Sequence, residues 1–349
     1  MPRERLLEAS LLPLPLAKLG LHLATATGYG IFRDELYYLA CAEHPAWGYV
    51  DHPPLSILAL KVWTAVFGTS LVSLRVPAAL LGALTVLLVG LLARRLGGGR
   101  GAAQLAMLAA LCAPIVLGLG NYYSMNAFDL FFWALAYLLL ADVLLAEEPV
   151  PLSKWLLLGA VLGLGLQNKI SVLWLGAGLG LGLLATSRRR LLATPGPWLC
   201  GIVAMAGLLP YVLWNLANGS PTLEFMKNAT GEKMARHSAL EFARAQLESM
   251  GPAFLLALAG ALWLFLSPRA KALRPLGVTF AFVWALLAAS STSRPSYATA
   301  AYAVAMAAGA VAVFEIAAPR LRLATIAVAS VLLVAYGVLA MPSALPVLS

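Results

Sequence analysis

Residues 76–96 read VPAALLGALTVLLVGLLARRL, an apolar run that ends on the basic pair Arg94-Arg95. About 20 largely apolar residues suffice for a helix to cross a bilayer, and basic residues at one end mark the cytoplasmic side. The same ruler, carried along the chain, predicts helices near 10–31, 76–96, 101–119, 122–146, 154–167, 170–187, 197–217, 252–267, 276–291, 296–317 and 322–341. Composition agrees. Of 349 residues, 61% are hydrophobic and 11% charged, and mean hydropathy is +0.86, more apolar surface than a soluble core absorbs. The expectation is an all-α polytopic membrane protein with about eleven transmembrane helices, forming one domain over residues 1–349.

Orientation follows from the loops. With the N-terminus cytoplasmic, Arg94-Arg95 and Arg188-Arg189-Arg190 fall inside and look nearly unopposed by acids, whereas outside Lys and Arg are matched by Asp and Glu. The net charge of +9 is thus a topology signal and gives no reason to invoke nucleic acid. Cys41, Cys112 and Cys200 are scattered, without a metal or disulfide pattern. The first apolar run carries no cleavage-site pattern and reads as the first transmembrane helix. Two outside loops are long, about 33–75 and 218–250. The first contains Leu55–Phe67, read as a juxtamembrane helix with Lys61 and Trp63 at headgroup level. The second repeats Leu240, Phe242, Ala243, Leu247 and Met250 at helical spacing, predicting a surface helix.

The polar residues then collect on one side. The first outer loop holds Phe32-Arg33-Asp34-Glu35-Leu36-Tyr37-Tyr38 and Gly48-Tyr49-Val50-Asp51-His52-Pro53-Pro54. Asn121-Tyr122-Tyr123-Ser124-Met125-Asn126-Ala127-Phe128-Asp129 opens the fourth helix. Gln167-Asn168-Lys169 and Ser293-Arg294-Pro295-Ser296-Tyr297 join later pairs, all at the extracytoplasmic ends. Asp129 lies about two turns into its helix, where a carboxylate needs a polar cavity or a cation. It reads either as a cavity group or as an ion-pair partner of Lys169 or Arg294. His52 also reads as a turn residue before prolines, Tyr122 and Tyr123 as interfacial aromatics, and Arg75 as a headgroup contact.

Carboxylates and cations around a cavity open to the bilayer suit a lipid-linked phosphate ester. The cations neutralise a leaving phosphate, and a carboxylate takes the proton of an incoming hydroxyl or amine. The chain has no Gly-rich phosphate loop, which favours a polyprenyl-phosphate donor over a nucleotide sugar. Two other classes use similar features. A lipid-phosphate-sugar flippase would set ionisable groups along a path across the membrane. A hydrolase of lipid-linked sugars would use the same carboxylates with water.

Taken together, the motifs at residues 33–38, 51–54 and 121–129, with Gly163-Leu164-Gly165-Leu166-Gln167-Asn168-Lys169 and Pro221-Thr222-Leu223-Glu224-Phe225, resemble the bacterial protein-mannosyltransferase-like glycosyltransferases of GT-C fold. Lipid A aminoarabinose transferases are among their relatives. The resemblance implies an inverting glycosyltransferase working at the outer face. Asp34 would be its base and Asp129 a second carboxylate, with Glu35 beside them. Where the aminoarabinose transferases carry a Lys before Pro-Pro, associated with the donor phosphate, this chain has His52. Lys169 and Arg294 are the cation candidates from topology, and Asp51, Tyr122, Tyr123, Asn126 and Tyr297 complete the expected substrate contacts. No cofactor is required, although Asp34 and Glu35 also suit a hard divalent cation. Larger relatives continue into extra helices and a soluble domain. The expected acceptor here is accordingly a lipid or small molecule in preference to a protein.

Overall fold

The computed structural model describes residues 10–233, 236–318 and 320–347, and among them every regular element is helical. In chain order, α1 (Pro13–Ala24) leads through a loop to the short α2 (Arg33–Glu43) and α3 (Leu55–Phe67). Then come α4 (Leu71–Arg95), α5 (Arg100–Cys112), α6 (Pro114–Leu119), α7 (Met125–Leu144), α8 (Leu152–Asn168), α9 (Val172–Leu184) and α10 (Pro195–Ala217). The second outer segment supplies α11 (Pro221–Asn228) and α12 (Ala239–Met250), and α13 (Pro252–Leu266), α14 (Arg274–Ala289), α15 (Tyr302–Ile316) and α16 (Arg322–Ala344) close the bundle.

A helix stands at each predicted span. By length and hydropathy six segments among the described residues can cross a membrane: α4, α7, α10, α16, and α14 and α15 each extended by a preceding 3₁₀ turn. The other predicted spans, at α1, α5, α8, α9 and α13, are shorter helices. The predicted helix over 101–119 is in fact two, because Ala113 turns extended (ψ 119°) ahead of Pro114, as the residue before a proline prefers. The predicted first helix ends early, at Ala24, and residues 25–31 run as loop over the outer end of α4. Helix α2 was not expected. Its sequence is polar and aromatic without a clear apolar period, and Glu35 starts it by accepting the Phe32 N–H at 2.8 Å, a capping bond that composition alone does not announce.

Leu55–Phe67 forms the expected juxtamembrane helix, but Trp63 does not reach for headgroups: its Nε1–H donates to Ser73 O at 2.9 Å, pinning α3 to α4. The basic clusters Arg94-Arg95 and Arg188-Arg189-Arg190 are also better paired than expected. Arg95 meets Asp142, and Arg188 and Arg190 share Glu148 at 2.9 and 3.0 Å. Those acids are distant in sequence, so a loop-by-loop count misses them.

The bundle closes through small residues. At the α13–α15 crossing Gly260 and Gly309 lie back to back. A Cβ on Gly260 would overlap Ala305 O and the Gly309 backbone, and one on Gly309 would overlap Leu256 O. Close approach through glycine is how apolar helices pack where no hydrophobic force separates helix from lipid. The core of the bundle is α15, whose residues from Tyr302 to Ala312 are all buried. Its fit fixes where the outer loop before it, bearing Arg294, emerges. Replacing Gly309 by Val should therefore destabilise the protein by about 1–3 kcal/mol, read as a lower melting temperature in detergent. Gly176→Ala, at a position with open space around it, should leave that temperature unchanged.

Candidate active site

Glu35 is firmly anchored beside the cavity. Its side chain is 1% exposed and accepts four N–H bonds. Arg75 Nε donates to Oε1 at 3.2 Å and Arg75 Nη2 to Oε2 at 3.1 Å. The Tyr123 N–H donates to Oε1 at 3.1 Å and the Phe32 N–H to Oε2 at 2.8 Å. Arg75 spends its remaining donors on the carbonyls of Ala26 (2.6 Å), Tyr29 (3.3 Å) and Gly30 (2.9 Å). Arg75 is thus no headgroup contact. It is buried, and with Glu35 it ties together the loop after α1, the start of α2, the start of α4 and the turn before α7.

Asp34, one residue earlier, faces the other way. Its carboxylate is 40% exposed, pairs only with the exposed Arg33 at 3.1 Å, and opens on a cavity of about 1620 Å³. The same cavity is lined by Tyr122, Asn126, Asp51, Lys169, Arg294 and Tyr297. Burial raises the pKa of the Tyr122 hydroxyl, and Asp34 and Glu35 raise it further while Arg294 and Arg33 pull it down. Tyr122 therefore stands within electrostatic reach of both the carboxylate and the cation predicted on separate loops.

Across the cavity, Lys169 donates to Asp129 Oδ2 and to Asn126 Oδ1, both at 2.9 Å, and Ser171 Oγ donates to Asp129 Oδ1 at 3.0 Å. Lys169 leaves the end of α8 in extended backbone, and its ammonium lies 5.7 Å from the Tyr297 ring centroid, within cation–π range. Of the two roles open to Asp129, the structure takes the ion pair. Asp129 is buried behind Lys169 and fixes it, leaving one ammonium proton for the cavity. Arg294 is exposed and makes no ion pair among the described residues.

Two expected substrate contacts lie elsewhere. His52 is fully buried, stacked on Tyr38 with ring centroids 5.0 Å apart. Its Nδ1 stands 2.9 Å from Pro53 O, and its Nε2 lies 3.7 Å from Asp51. Burial lowers its pKa against the pull of Asp51, so at neutral pH it is an uncharged packing residue of the proline turn and cannot hold a phosphate from there. Tyr123 is also buried, its hydroxyl donating to Ser56 O at 2.5 Å. Both residues sit behind the cavity wall. Asp51 remains on that wall, accepting the Tyr37 hydroxyl at 2.7 Å. Burial and that bond push the Tyr37 pKa up, keeping the hydroxyl protonated.

A divalent cation shared by Asp34 and Glu35 does not fit this geometry, since Glu35 has its oxygens committed to four N–H donors. Among the described residues no group of three or more His, Cys, Asp or Glu is placed to hold a metal. Sequence reasoning overlooked several residues. Trp174 lines the cavity and looks like an ordinary interfacial aromatic in sequence. Lys18 and His22 are buried in α1, with Lys18 Nζ donating to Val116 O at 3.1 Å. An ionisable pair four residues apart inside an apolar run was the signal there.

The apolar helices and the polar cavity at one end of them define a multi-pass membrane protein. A family model described as dolichyl-phosphate-mannose-protein mannosyltransferase matches residues 51–214. A curated polyprenol-phosphate-mannose–protein mannosyltransferase of Corynebacterium glutamicum is 32% identical over 139 residues, covering 33% of this chain and 26% of that protein. The crystal structure of ArnT from Cupriavidus metallidurans bound to undecaprenyl phosphate superposes with a TM-score of 0.75 at 16% identity, over 95% of this chain and 64% of that one. The Archaeoglobus fulgidus oligosaccharyltransferase tethered to an acceptor peptide gives 0.63 at 12% identity, over 94% and 55%. The chain thus spans about a quarter of the curated relative and under two thirds of the ArnT chain. Over residues 51–214 the chain is similar to the protein mannosyltransferases, and along 95% of its length it shares its fold with ArnT.

His52 supplies a pH test. Its folded pKa lies below the ordinary value of 6.5, so the unfolded chain binds the proton more readily. The neutral ring's contribution is complete above about pH 6.5 and is lost as pH falls below it. Melting temperature in detergent should drop between pH 7 and pH 5, and His52→Phe should flatten that drop.

Proposed function

We propose that the protein is an inverting glycosyltransferase that moves a sugar from a polyprenyl-phosphate donor to an acceptor hydroxyl or amine at the extracytoplasmic face of the bacterial inner membrane, with the N-terminus inside. The observation that carries this reading is a single cavity in which a half-exposed carboxylate, Asp34, shares space with Arg294, which makes no ion pair among the described residues, and a tethered Lys169. The donor phosphate would lie against Arg294 and the remaining Lys169 proton. The acceptor oxygen attacks the anomeric carbon as the bond from that carbon to the phosphate oxygen breaks. Asp34 receives the acceptor proton, and polyprenyl phosphate leaves as an anion that the cations stabilise in the transition state. One displacement inverts the anomeric centre.

The other groups have supporting tasks. Asn126, Asp51, Tyr122 and Tyr297 offer hydrogen bonds and ring faces to the sugar, while Glu35 and Asp129 hold the base and the cation in place. A lipid or small amphipathic acceptor suits a cavity whose far wall is Ile115, Leu119, Ala340 and Leu345. No metal is needed to neutralise one phosphate already met by two cations. A flippase fits less well. On the inner side the acids are paired at the helix ends, Asp142 with Arg95 and Glu315 with Trp263 and Arg269.

Lipid and metabolite mass spectrometry of a host with and without the gene should find a hexose or pentose increment on one acceptor. Asp34→Asn should abolish that increment while the purified variant still binds undecaprenyl phosphate. Turnover retained by Asp34→Asn would refute the base assignment, and an increment that never appears would refute transfer.

A further inference from the structure

The second outer segment does more than cover the cavity. The loop that carries Arg294 offers three alternate carbonyls, of residues 291, 293 and 295, and each is taken by the stretch that begins and forms α12. The His237 N–H donates to Ser291 O at 2.8 Å. The His237 Nε2 stands 2.5 Å from Ser293 O and 3.4 Å from Ser293 Oγ. The Gln246 Nε2 donates to Pro295 O at 3.0 Å. Arg294 itself is extended, with φ −75° and ψ 145°, between the turn at 291–292 and the 3₁₀ helix that starts at Pro295. With the carbonyls of Ser293 and Pro295 both held by α12 and the stretch before it, the backbone on either side of Arg294 is fixed, and so is the point from which its side chain leaves the loop.

The clamp is itself rigid. Gln246 and Phe242, one turn apart on α12, are each 1% exposed. The His237 ring stacks on Phe242 at 5.5 Å, Phe242 packs edge-on against Trp284 at 5.7 Å, and the Trp284 Nε1–H donates to the Tyr302 hydroxyl at 3.1 Å. The chain of contacts runs from the bundle's most buried helix to the loop. The sequence had suggested Leu240 and Leu247 as part of the apolar stripe of α12, yet these are exposed, and the buried stripe is Phe242, Gln246 and Met250. A buried Gln in the centre of that stripe is costly unless its amide is used. Here its use is the Pro295 carbonyl.

We propose that His237 and Gln246 are positioning residues that aim Arg294 into the cavity. Neither touches substrate; both act through Arg294. The inference rests on the reading of Arg294 as a phosphate-binding cation. It predicts that loosening either clamp weakens polyprenyl-phosphate binding only as long as Arg294 is present.

The test is the dissociation constant of purified protein for undecaprenyl phosphate in detergent. Arg294→Met should weaken binding about tenfold or more. His237→Ala and Gln246→Met should each weaken it about three- to tenfold, and His237→Gln, whose amide can still donate to Ser293 O, should recover most of the loss. In the Arg294→Met background His237→Ala should add nothing, because contacts acting through one group are not additive. Melting curves of the same samples confirm folding, and should His237→Ala fail to fold, His237→Gln and Gln246→Met carry the comparison. Unchanged binding in the clamp variants, or a loss of equal size with and without Arg294, would overturn the positioning role while leaving the phosphate assignment intact. Unchanged binding in Arg294→Met would remove the phosphate assignment and the clamp's purpose with it.

Discussion

The outer face is organised by one buried ion pair, Glu35 with Arg75. A carboxylate removed from water loses several kcal/mol of hydration, recovered only when geometry and hydrogen bonding are complete. Here both partners are saturated: Glu35 by four N–H donors, Arg75 by Glu35 and three loop carbonyls. Each bond fixes a different segment, so the pair sets the register of the loop after α1, the first turn of α2 and the entry to α7 at once. The orientation of Asp34 follows from this. With its neighbour's side chain locked into the core, the first turn of α2 has one rotation about its axis, and residues one apart on a helix point about 100° from each other.

The cavity's charges are divided in a way that suits group transfer from an anionic lipid. The Lys169–Asp129 pair is net neutral and fixes its ammonium, so the uncompensated cation is Arg294, on a loop with an extended backbone. Asp34, one of the carboxylates lining the cavity, is paired with an exposed arginine, and exposed pairs of that kind contribute little. A negatively charged donor entering such a site gains an arginine and part of a lysine, and meets a carboxylate that is free to accept a proton. The neutral His52 lies one layer behind. Through Tyr38, α2 rests on His52, which packs in turn on Tyr49.

Much of this was legible in the sequence because burying charge is expensive. Apolar runs separated by polar clusters located the helices, and the one-sided distribution of Asp34, Asp129, Lys169 and Arg294 located the cavity. Adjacency misled where function divides neighbours. Asp34 and Glu35 look like one acidic motif, yet one lines the cavity and the other braces it. His52 before Pro53-Pro54 reads as a phosphate contact in sequence, yet its ring is buried against Tyr38 and Tyr49. Arg75 and Lys18 escaped because an isolated cation at a helix end or within an apolar run has several ordinary explanations. Only the three-dimensional path of the chain brings Ala26, Gly30 and Glu35 to Arg75, and Val116 to Lys18. The α12 clamp was invisible for the same reason, since its acceptors are backbone carbonyls and these have no signature in side-chain sequence.

The view of the cavity as a polyprenyl-phosphate site stands or falls on where the phosphate sits. An experimental structure of the protein with undecaprenyl phosphate decides it. The phosphate is expected within hydrogen-bond distance of both the Arg294 guanidinium and Lys169 Nζ, on the same side of Tyr122 as the Asp34 carboxylate. A lipid phosphate bound at the basic collar of Arg188 and Arg190, or in the outer cavity but away from Arg294 and Lys169, would contradict it.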